Sequence, residues 1–305
     1  MTAAKTRATR PARLISPKTL GLLALLVACF SIGLVAYGAW VRVSGSGLGC
    51  PDWPLCEGAT VPQGRAAAIE SGHRVYAGFV GLAVLALAVA GFLHRDLHPK
   101  TLRLLATAFG LVVAQGLLGA VVVFTNLQPL VRLAHLVLAM GLVGLLTVAG
   151  TSLLQGQEPS LRLRRPGWHV LLAGSAVILL GGSIVASTKS FECAALPLCD
   201  NTSSTLATAL HSAHRTLGVL LLGATAFLAT QRYRRGDRSP FMKAAVLAAI
   251  LLTSQVTIGF TSVALGLPTA LRILHIGVAA SIWAALVATW NLSTPVSPAL
   301  PPRNK

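Results

Sequence analysis

The chain alternates long apolar stretches with short polar segments over nearly its whole length. An apolar stretch of about 20 residues is long enough to cross the hydrocarbon core of a bilayer as a helix. Eight such stretches occur, at residues 20–41, 73–93, 102–124, 130–154, 168–187, 208–230, 242–264 and 270–291. The pattern predicts an all-α integral membrane protein with eight transmembrane helices, because only helices and closed barrels satisfy their backbone groups in lipid.

Composition supports this class and excludes a soluble protein. The sequence is 54% hydrophobic and 11% charged, with a mean hydropathy of +0.72. A net charge of +17 would suggest nucleic-acid binding in a soluble protein, but the basic residues are concentrated on one face. Of the 25 basic residues, five precede the first helix, three follow the second, three follow the fourth, five follow the sixth and two end the chain. All of these lie on the same face if the helices alternate in direction. The positive-inside rule predicts that this face and both termini are cytoplasmic, and no nucleic-acid partner is expected.

The sequence contains two copies of one unit, with matching residues 140 to 143 positions apart. The matched features are Ser71-Gly72-His73-Arg74 with Ser212-Ala213-His214-Arg215, Gln115 and Gly119 with Gln255 and Gly259, Arg132-Leu133-Ala134-His135 with Arg272-Ile273-Leu274-His275, and Pro54-Leu55-Cys56 with Pro197-Leu198-Cys199. Four predicted helices separate the copies, so both have the same orientation in the membrane. We therefore predict two tandem, pseudo-symmetric four-helix bundles, residues 1–155 and 167–295, joined by a cytoplasmic linker at 156–166.

Four histidines lie inside predicted helices at one common depth. They are His73, His135, His214 and His275. Ionisable side chains are costly in a membrane and usually mark a functional site. Two facing histidines in a four-helix bundle commonly hold a haem iron from both sides, so each half is predicted to bind one haem. The alternatives are histidines hydrogen-bonded across helices and, with less support because carboxylates are scarce, a zinc site.

Arginines accompany these histidines. Arg132 and Arg272 each lie three residues before a histidine, on the same helix face and one turn nearer the surface, where they could grip haem propionates. Arg74 and Arg215 directly follow the other two histidines and point elsewhere by about 100°. For this second pair, snorkelling to the interface and propionate binding both stay open.

One polar position differs between the two copies. Three residues before His73 stands Glu70, whereas three residues before His214 stands His211. A carboxylate one turn from a ligand could act as a general base or stabilise developing positive charge. The first half is therefore predicted to be reactive, and the second to be an electron relay or structural copy. The alternative for Glu70 is an interfacial carboxylate that caps the start of its helix.

Two pairs of cysteines fall in predicted outer loops, where disulfides persist. One disulfide is expected within each loop, joining Cys50 to Cys56 and Cys193 to Cys199. Each bridge either staples its loop or, if it is exposed near a haem edge, passes electrons to the site as a redox-active thiol pair.

These residues together resemble the haem A synthases of bacterial and mitochondrial membranes. The resemblance spans almost the whole chain and rests on the loop sequence GLGCPDWPLC at residues 47–56, on Glu70-x-x-His73-Arg74, and on His135, His214 and His275. It implies an oxidoreductase of cytochrome oxidase assembly, located in the bacterial plasma membrane, that oxidises the C8 methyl group of haem O to a formyl group and so gives haem A.

Carried over residue by residue, the resemblance implies that His73 and His135 hold haem O and that His214 and His275 hold haem b. Glu70 would be the catalytic carboxylate.

The resemblance also concerns the first loop and the partners. Cys50 and Cys56 resemble the cysteine pair given a redox or haem-handling role in the family, whereas His211 has no clear counterpart. The expected partners, besides membrane lipid, are haem O, a haem O synthase and an electron donor such as a quinol.

Two other functions compete with this one. A di-haem b-type cytochrome that transfers electrons without modifying haem would explain all four histidines, but not Glu70 or the unequal halves. A transporter would need helices broken at mid-membrane, for which the sequence shows no suitably placed Gly and Pro.

Overall fold

The computed structural model describes residues 15–56, 58, 62–94, 97–159, 173–177, 180–181, 195–199 and 206–293. Within these residues seven long helices form: α1 (Pro17–Val43), α2 (Arg65–Leu93), α3 (Pro99–Phe124), α4 (Pro129–Gln155), α5 (Leu206–Arg234), α6 (Pro240–Ala264) and α7 (Thr269–Leu292). Each contains a stretch long and apolar enough to cross a membrane. The prediction of an all-α, multi-pass membrane protein is confirmed.

Two predicted segments lie mostly outside the described residues. Of the fifth predicted span, 168–187, the structure describes 173–177 and 180–181, and both pieces are helical. The predicted linker, 156–166, is described as far as Pro159. The division into two bundles at this linker therefore stays a prediction, and we refer below to α1–α4 as the first half and α5–α7 as the second half.

Helix starts follow local chemistry rather than the edge of the apolar pattern. Four helices have proline at their first position, where its missing N–H group costs nothing. The start of α2, at Arg65, precedes the predicted span by eight residues. The cause is the segment Ala66–Ala68, which favours a helix without being strongly apolar. Glu70 and His73 consequently lie in the second and third turns of α2.

The helices of the first half form a ring in which each packs against the next and α4 packs against α1. Within the described residues α2 and α4 do not pack directly on each other, so they lie diagonally opposite. The approach of α1 to α4 is close because Gly21 and Gly150 face each other without side chains. In the second half α6 packs between α5 and α7, whose backbones do not pack directly on each other within the described residues.

One helix of the second half, α7, joins the two halves by packing against both α1 and α4. The Nε1 atom of Trp283 donates a hydrogen bond of 2.7 Å to the carbonyl oxygen of Met140. Farther along, the buried Asn291 donates hydrogen bonds of 2.9 Å to the hydroxyl groups of Thr151 and Ser152. These polar contacts set how α7 is positioned along α4.

The chain reverses direction at two faces of the membrane. We call one of them the disulfide face, defined by the connecting segments 44–64, 125–128 and 265–268. The first two of these segments touch there, since Gly47 lies against the side chain of Leu127. α1, α3 and α6 end at the disulfide face, and α2, α4, α5 and α7 begin there.

Candidate functional site

The four predicted ligand histidines lie in the four helices that begin at the disulfide face. His73 in α2 and His135 in α4 come from diagonally opposite helices and are close enough to interact electrostatically. In the second half the ring centroids of His214 and His275 are 6.2 Å apart, with 63° between the ring planes. In each half the structure brings together the two histidines that the sequence pairs.

Each of these rings lies against a glycine of a neighbouring segment. A Cβ atom added at Gly38 would lie 3.2 Å from Cε1 of His73, and one added at Gly119 would lie 3.5 Å from that of His135. The corresponding distances in the second half are 3.0 Å from Gly181 to His214 and 3.3 Å from Gly259 to His275. The missing side chains at Gly38, Gly181 and Gly259 therefore leave space that an imidazole occupies, whereas a Cβ atom at Gly119 would meet its ring at an ordinary contact distance.

The sites fit a haem better than a bare metal ion. The Nδ1 atoms of His73, His135 and His275 are buried and make no hydrogen bond to any residue that the structure describes, which is rare for buried polar atoms. The ring of His214 lies beside the backbone of Val177. Two imidazoles bound at about 2.0 Å on opposite sides of one metal would have ring centroids roughly 6 Å apart, close to the spacing in the second half. Among the residues that the structure describes, no group of three or more His, Cys, Asp or Glu could hold an ion, whereas a haem needs two protein ligands.

Two matched glutamines contact the histidines differently. Gln115 Nε2 donates a hydrogen bond of 2.8 Å to the backbone carbonyl of His135. Its counterpart, Gln255, places Nε2 3.1 Å from the ring Nε2 of His275. A metal bound at that ring nitrogen would displace the second contact but not the first.

Glu70 lies between α2 and the disulfide loop, with 4% of its surface exposed. Its Oε2 accepts a hydrogen bond of 2.9 Å from the backbone N–H of Cys50, and its Oε1 forms an ion pair of 2.7 Å with Arg74. The alternative that Glu70 caps the start of its helix is wrong, because α2 begins five residues earlier and its N-cap, Gly64, makes no side-chain bond. The carboxylate is instead held in place, one turn from His73, by the loop and by a cation.

The two arginines that follow a ligand histidine bind loop carbonyls. Arg74 donates to the carbonyl oxygens of Cys50 at 3.1 Å and Asp52 at 2.7 Å. Arg215 donates at 2.6 Å to the carbonyl of Ala195, which is the counterpart of Asp52 in the second loop. Because these contacts are made within the protein, snorkelling to the interface does not describe either side chain, whereas propionate binding stays a prediction. Both act as clamps that fix a connecting loop to the helix carrying a histidine.

The Cys50–Cys56 disulfide is present and buried. Cys50 is 0% exposed and Cys56 is 3% exposed, and Cys50 Sγ faces the carbonyl of Ala67 in α2. This burial favours the stapling role over electron transfer from an exposed bridge. In the second loop Cys199 is disulfide-bonded, while its predicted partner Cys193 lies outside the described residues.

The remaining predicted residues are placed as follows. Arg132 and Arg272 are half-buried and lie one turn nearer the disulfide face than the histidines of α4 and α7. His211, also half-buried, occupies in α5 the position that Glu70 occupies in α2. His94 and His98 lie at the opposite face, where His94 contacts the carbonyl of Ile15 at 2.6 Å.

Comparison with known proteins decides the family. Residues 21–71 and 65–287 match the family described as "Cytochrome oxidase assembly protein" (COX15-CtaA). The chain belongs to this family.

Individual relatives agree with this membership in the COX15-CtaA family. The heme A synthase of Symbiobacterium thermophilum is 30% identical over 287 residues, covering 86% of this chain and 91% of the relative. The heme A synthase of Shewanella oneidensis is 28% identical over 328 residues, covering 88% of this chain and 96% of the relative. That of Halalkalibacterium halodurans is 29% identical over 265 residues, covering 80% and 88%. The resemblance identified from the loop and histidine motifs is confirmed.

Sequence reasoning missed an aromatic cluster that distinguishes the first half of this COX15-CtaA protein. Tyr37 lies edge-on to His73, with ring centroids 5.7 Å apart, and is 5.3 Å from Trp40 and 6.2 Å from Tyr76. At the positions that the repeat makes equivalent, the sequence has Leu180, Ser183 and Leu217. Comparing the copies position by position, rather than at polar residues alone, would have found this second asymmetry.

Proposed function

We propose that the chain is a haem A synthase, an oxidoreductase that converts haem O into haem A. Family membership supports the proposal, and one structural observation carries it. The two histidine pairs are closely matched, yet a buried carboxylate, Glu70, accompanies the first pair and a histidine, His211, stands at the equivalent position of the second. Two sites with matching histidine pairs but different neighbouring side chains are suited to bind one haem as a substrate and the other as a resident cofactor.

In this proposal His73 and His135 hold the substrate haem O, and His214 and His275 hold haem b. The haems would supply redox-active iron and, in the first half, the methyl group that is oxidised. The glycines facing the rings would help to set the position of the imidazoles, because at Gly38, Gly181 and Gly259 even a methyl group would press on the ring.

Arg132 and Arg272 complete the two sites. Each lies one turn from a ligand histidine on the same helix, and guanidinium groups pair well with carboxylates. They would therefore bind haem propionates at the disulfide face.

Glu70 supplies the chemistry that the second half lacks. Turning a methyl group into a formyl group consumes one water molecule and releases four protons and four electrons. Two imidazole donors leave no open position for dioxygen, so water is the proposed source of oxygen. The carboxylate would accept a proton from this water or stabilise positive charge next to it, and its bonds to Cys50 and Arg74 keep it oriented for that task.

The second half would relay the electrons. Its histidine pair is matched to the first, but the equivalent of Glu70 is not a carboxylate, so this half is suited to electron transfer without modification of its haem. The proposed acceptors of the four electrons beyond it are quinones, which would become quinols, and the proposed source of the substrate is a haem O synthase. The excess of basic residues on the face opposite the disulfides supports an orientation with both termini in the bacterial cytoplasm.

Substitution of Glu70 tests the proposal. The wild-type chain and a Glu70→Gln variant would be co-expressed with a haem O synthase, and the extracted haems would be identified by mass. We expect haem A and haem B from the wild type, but haem O and haem B from the variant, since binding is kept and the carboxylate is lost. His211→Gln, at the equivalent position of the second half, is the matched control and should still yield haem A. Wild-type amounts of haem A from Glu70→Gln would refute the catalytic role.

A di-haem b-type cytochrome is the second candidate, favoured by the close match of the two histidine pairs. The same extraction separates the two functions. A cytochrome would contain haem B alone and would form no haem A, even when haem O is supplied.

A further inference from the structure

Three arginines stand at the disulfide face where the two halves meet. They are Arg42 at the end of α1, Arg132 in the first turn of α4 and Arg272 in the first turn of α7. The three helices pack pairwise against one another. Arg42 was not singled out by the repeat, because the equivalent position of the other copy, 185, is a valine.

Packing contacts place Arg42 and Arg132 at one depth. The side chain of Leu25 in α1 lies against Gly150 in α4. Arg42 follows Leu25 by 17 residues, and Arg132 precedes Gly150 by 18 residues, in helices that run in opposite directions. At 1.5 Å per residue these separations are about 26 Å and about 27 Å toward the same face.

Arg272 lies at this depth too. Asn291 of α7 bonds to Thr151 of α4, and Arg272 and Arg132 each precede these residues by 19 positions. Contact between α1 and α7 gives the same result, since Ala36 lies against Gly277, six residues before Arg42 and five residues after Arg272. The three arginines therefore lie together at the ends of three adjoining helices.

Electrostatics agrees with this placement. The charges of Arg272 and Arg132 both act on the guanidinium group of Arg42. All three side chains are half-buried, so water screens their mutual repulsion less than it would at an open surface. A half-buried group of three like charges produces a strong local field that attracts anions.

The cluster borders both histidine pairs. Arg132 and Arg272 are one turn from His135 and His275 on their own helices. Arg42 is one turn beyond Gly38, the residue against which His73 packs. An anionic group extending toward the disulfide face from either site would reach the same cluster.

We propose that Arg42, Arg132 and Arg272 form one anion-binding site shared by the two halves, and that it takes carboxylates from both bound haems. This inference rests on the proposed haem function and extends it, because Arg42 becomes a common binding residue of two sites that otherwise have separate ligands. Filling either haem site would neutralise part of the cluster and change the affinity of the other by linkage, equally in both directions.

Haem retention in arginine variants tests the proposal. Wild-type protein and the variants Arg42→Gln, Arg132→Gln and Arg272→Gln would be purified after co-expression with a haem O synthase, and haem B and haem O or A would be quantified per protein. Arg42→Gln should lower the affinity for both kinds of haem by about tenfold or more, as expected when a charge-assisted hydrogen bond is lost. Arg132→Gln should mainly lower the affinity for the first-half haem, and Arg272→Gln should mainly lower the affinity for the second-half haem. Arg65 is an exposed arginine at the same face, so Arg65→Gln is the control and should leave the affinity for both haems unchanged.

A second measurement covers the case in which Arg42→Gln fails to fold. Protein depleted of haem would be titrated with haem B and with its dimethyl ester, which lacks the carboxylate charges. The wild type should prefer the free acid at both sites, Arg42→Lys should keep most of that preference, and Arg42→Met, which keeps a long apolar side chain without the charge, should reduce it at both.

The outcomes that overturn the inference differ from those that overturn the proposed function. An Arg42→Gln protein that keeps both haems, or loses one alone, would overturn the shared site while leaving haem A synthesis intact. Equal binding of acid and ester by the wild type would do the same. A wild-type protein that binds no haem would instead overturn the proposed function itself.

Discussion

The glycines that face the histidines allow a graded test of the first-half site. Gly38→Ala would place a methyl group 3.2 Å from Cε1 of His73, whereas Gly119→Ala would place one 3.5 Å from Cε1 of His135. Carbon atoms pack best at about 3.5–4.0 Å. The first substitution therefore displaces its ring by at least about 0.3 Å, and the second is accommodated without movement.

This displacement has a predictable cost. A misplacement of about 1 Å can lower a reaction rate about 100-fold, so 0.3 Å corresponds to a loss of about fourfold if the effect scales with distance. We expect Gly38→Ala to reduce haem A formation by roughly that factor and to shift the spectrum of the first-half haem. Gly119→Ala, with the same change in chemistry, should leave both unchanged.

The measurement is haem A formed per unit of protein, with protein amounts matched by immunoblot, together with low-temperature spectra of the purified variants. Gly181→Ala, at 3.0 Å from His214, should perturb haem b more than Gly259→Ala, at 3.3 Å from His275. If Gly119→Ala were as harmful as Gly38→Ala, or if both were silent, the imidazoles would not be positioned by these glycines and the reasoning would be refuted.

Two further predictions concern the clamp and the contact between halves. Arg74→Gln should speed reduction of the Cys50–Cys56 disulfide by a soluble dithiol roughly tenfold, because the loop loses its bonds to α2. Arg215→Gln should leave that rate unchanged. Equal reduction rates in the two variants would contradict the role of Arg74 in holding the loop. Asn291→Leu should lower the free energy of unfolding in detergent by about 1 kcal/mol, because two buried hydrogen bonds in an apolar environment are lost. A variant as stable as the wild type would show that these bonds contribute nothing to stability.

The apolar pattern predicted the helices well because a membrane span is defined mainly by length and composition. It missed the start of α2 because Ala66–Ala68 form helix without strong hydropathy. The pairing of His73 with His135 and of His214 with His275 followed from the repeat, since equal spacing on matched helices brings equivalent side chains to equivalent places.

Contacts that depend on how a loop folds or how two helices pack could not be read in this way. An ideal helix gives the direction in which Arg74 leaves α2, but not that the disulfide loop folds over it. The position of Tyr37 against His73 depends on how far α1 is shifted along α2, and the sequence carries no direct record of that shift. The sequence left open for the same reason whether Cys50 is buried or exposed, and the fold of the loop against α2 decides that it is buried.

The hydrogen bond from Asn291 to Thr151 joins two residues 140 positions apart, which is the spacing of the repeat itself. Residues at equivalent positions meet in this way when identical partners are related by a twofold rotation axis. A twofold axis that relates the two copies would therefore run close to this bond, and two copies that share one chain can differ from each other. An asparagine opposite a threonine, and a carboxylate in one half alone, are arrangements that no symmetric dimer of identical subunits could have possessed.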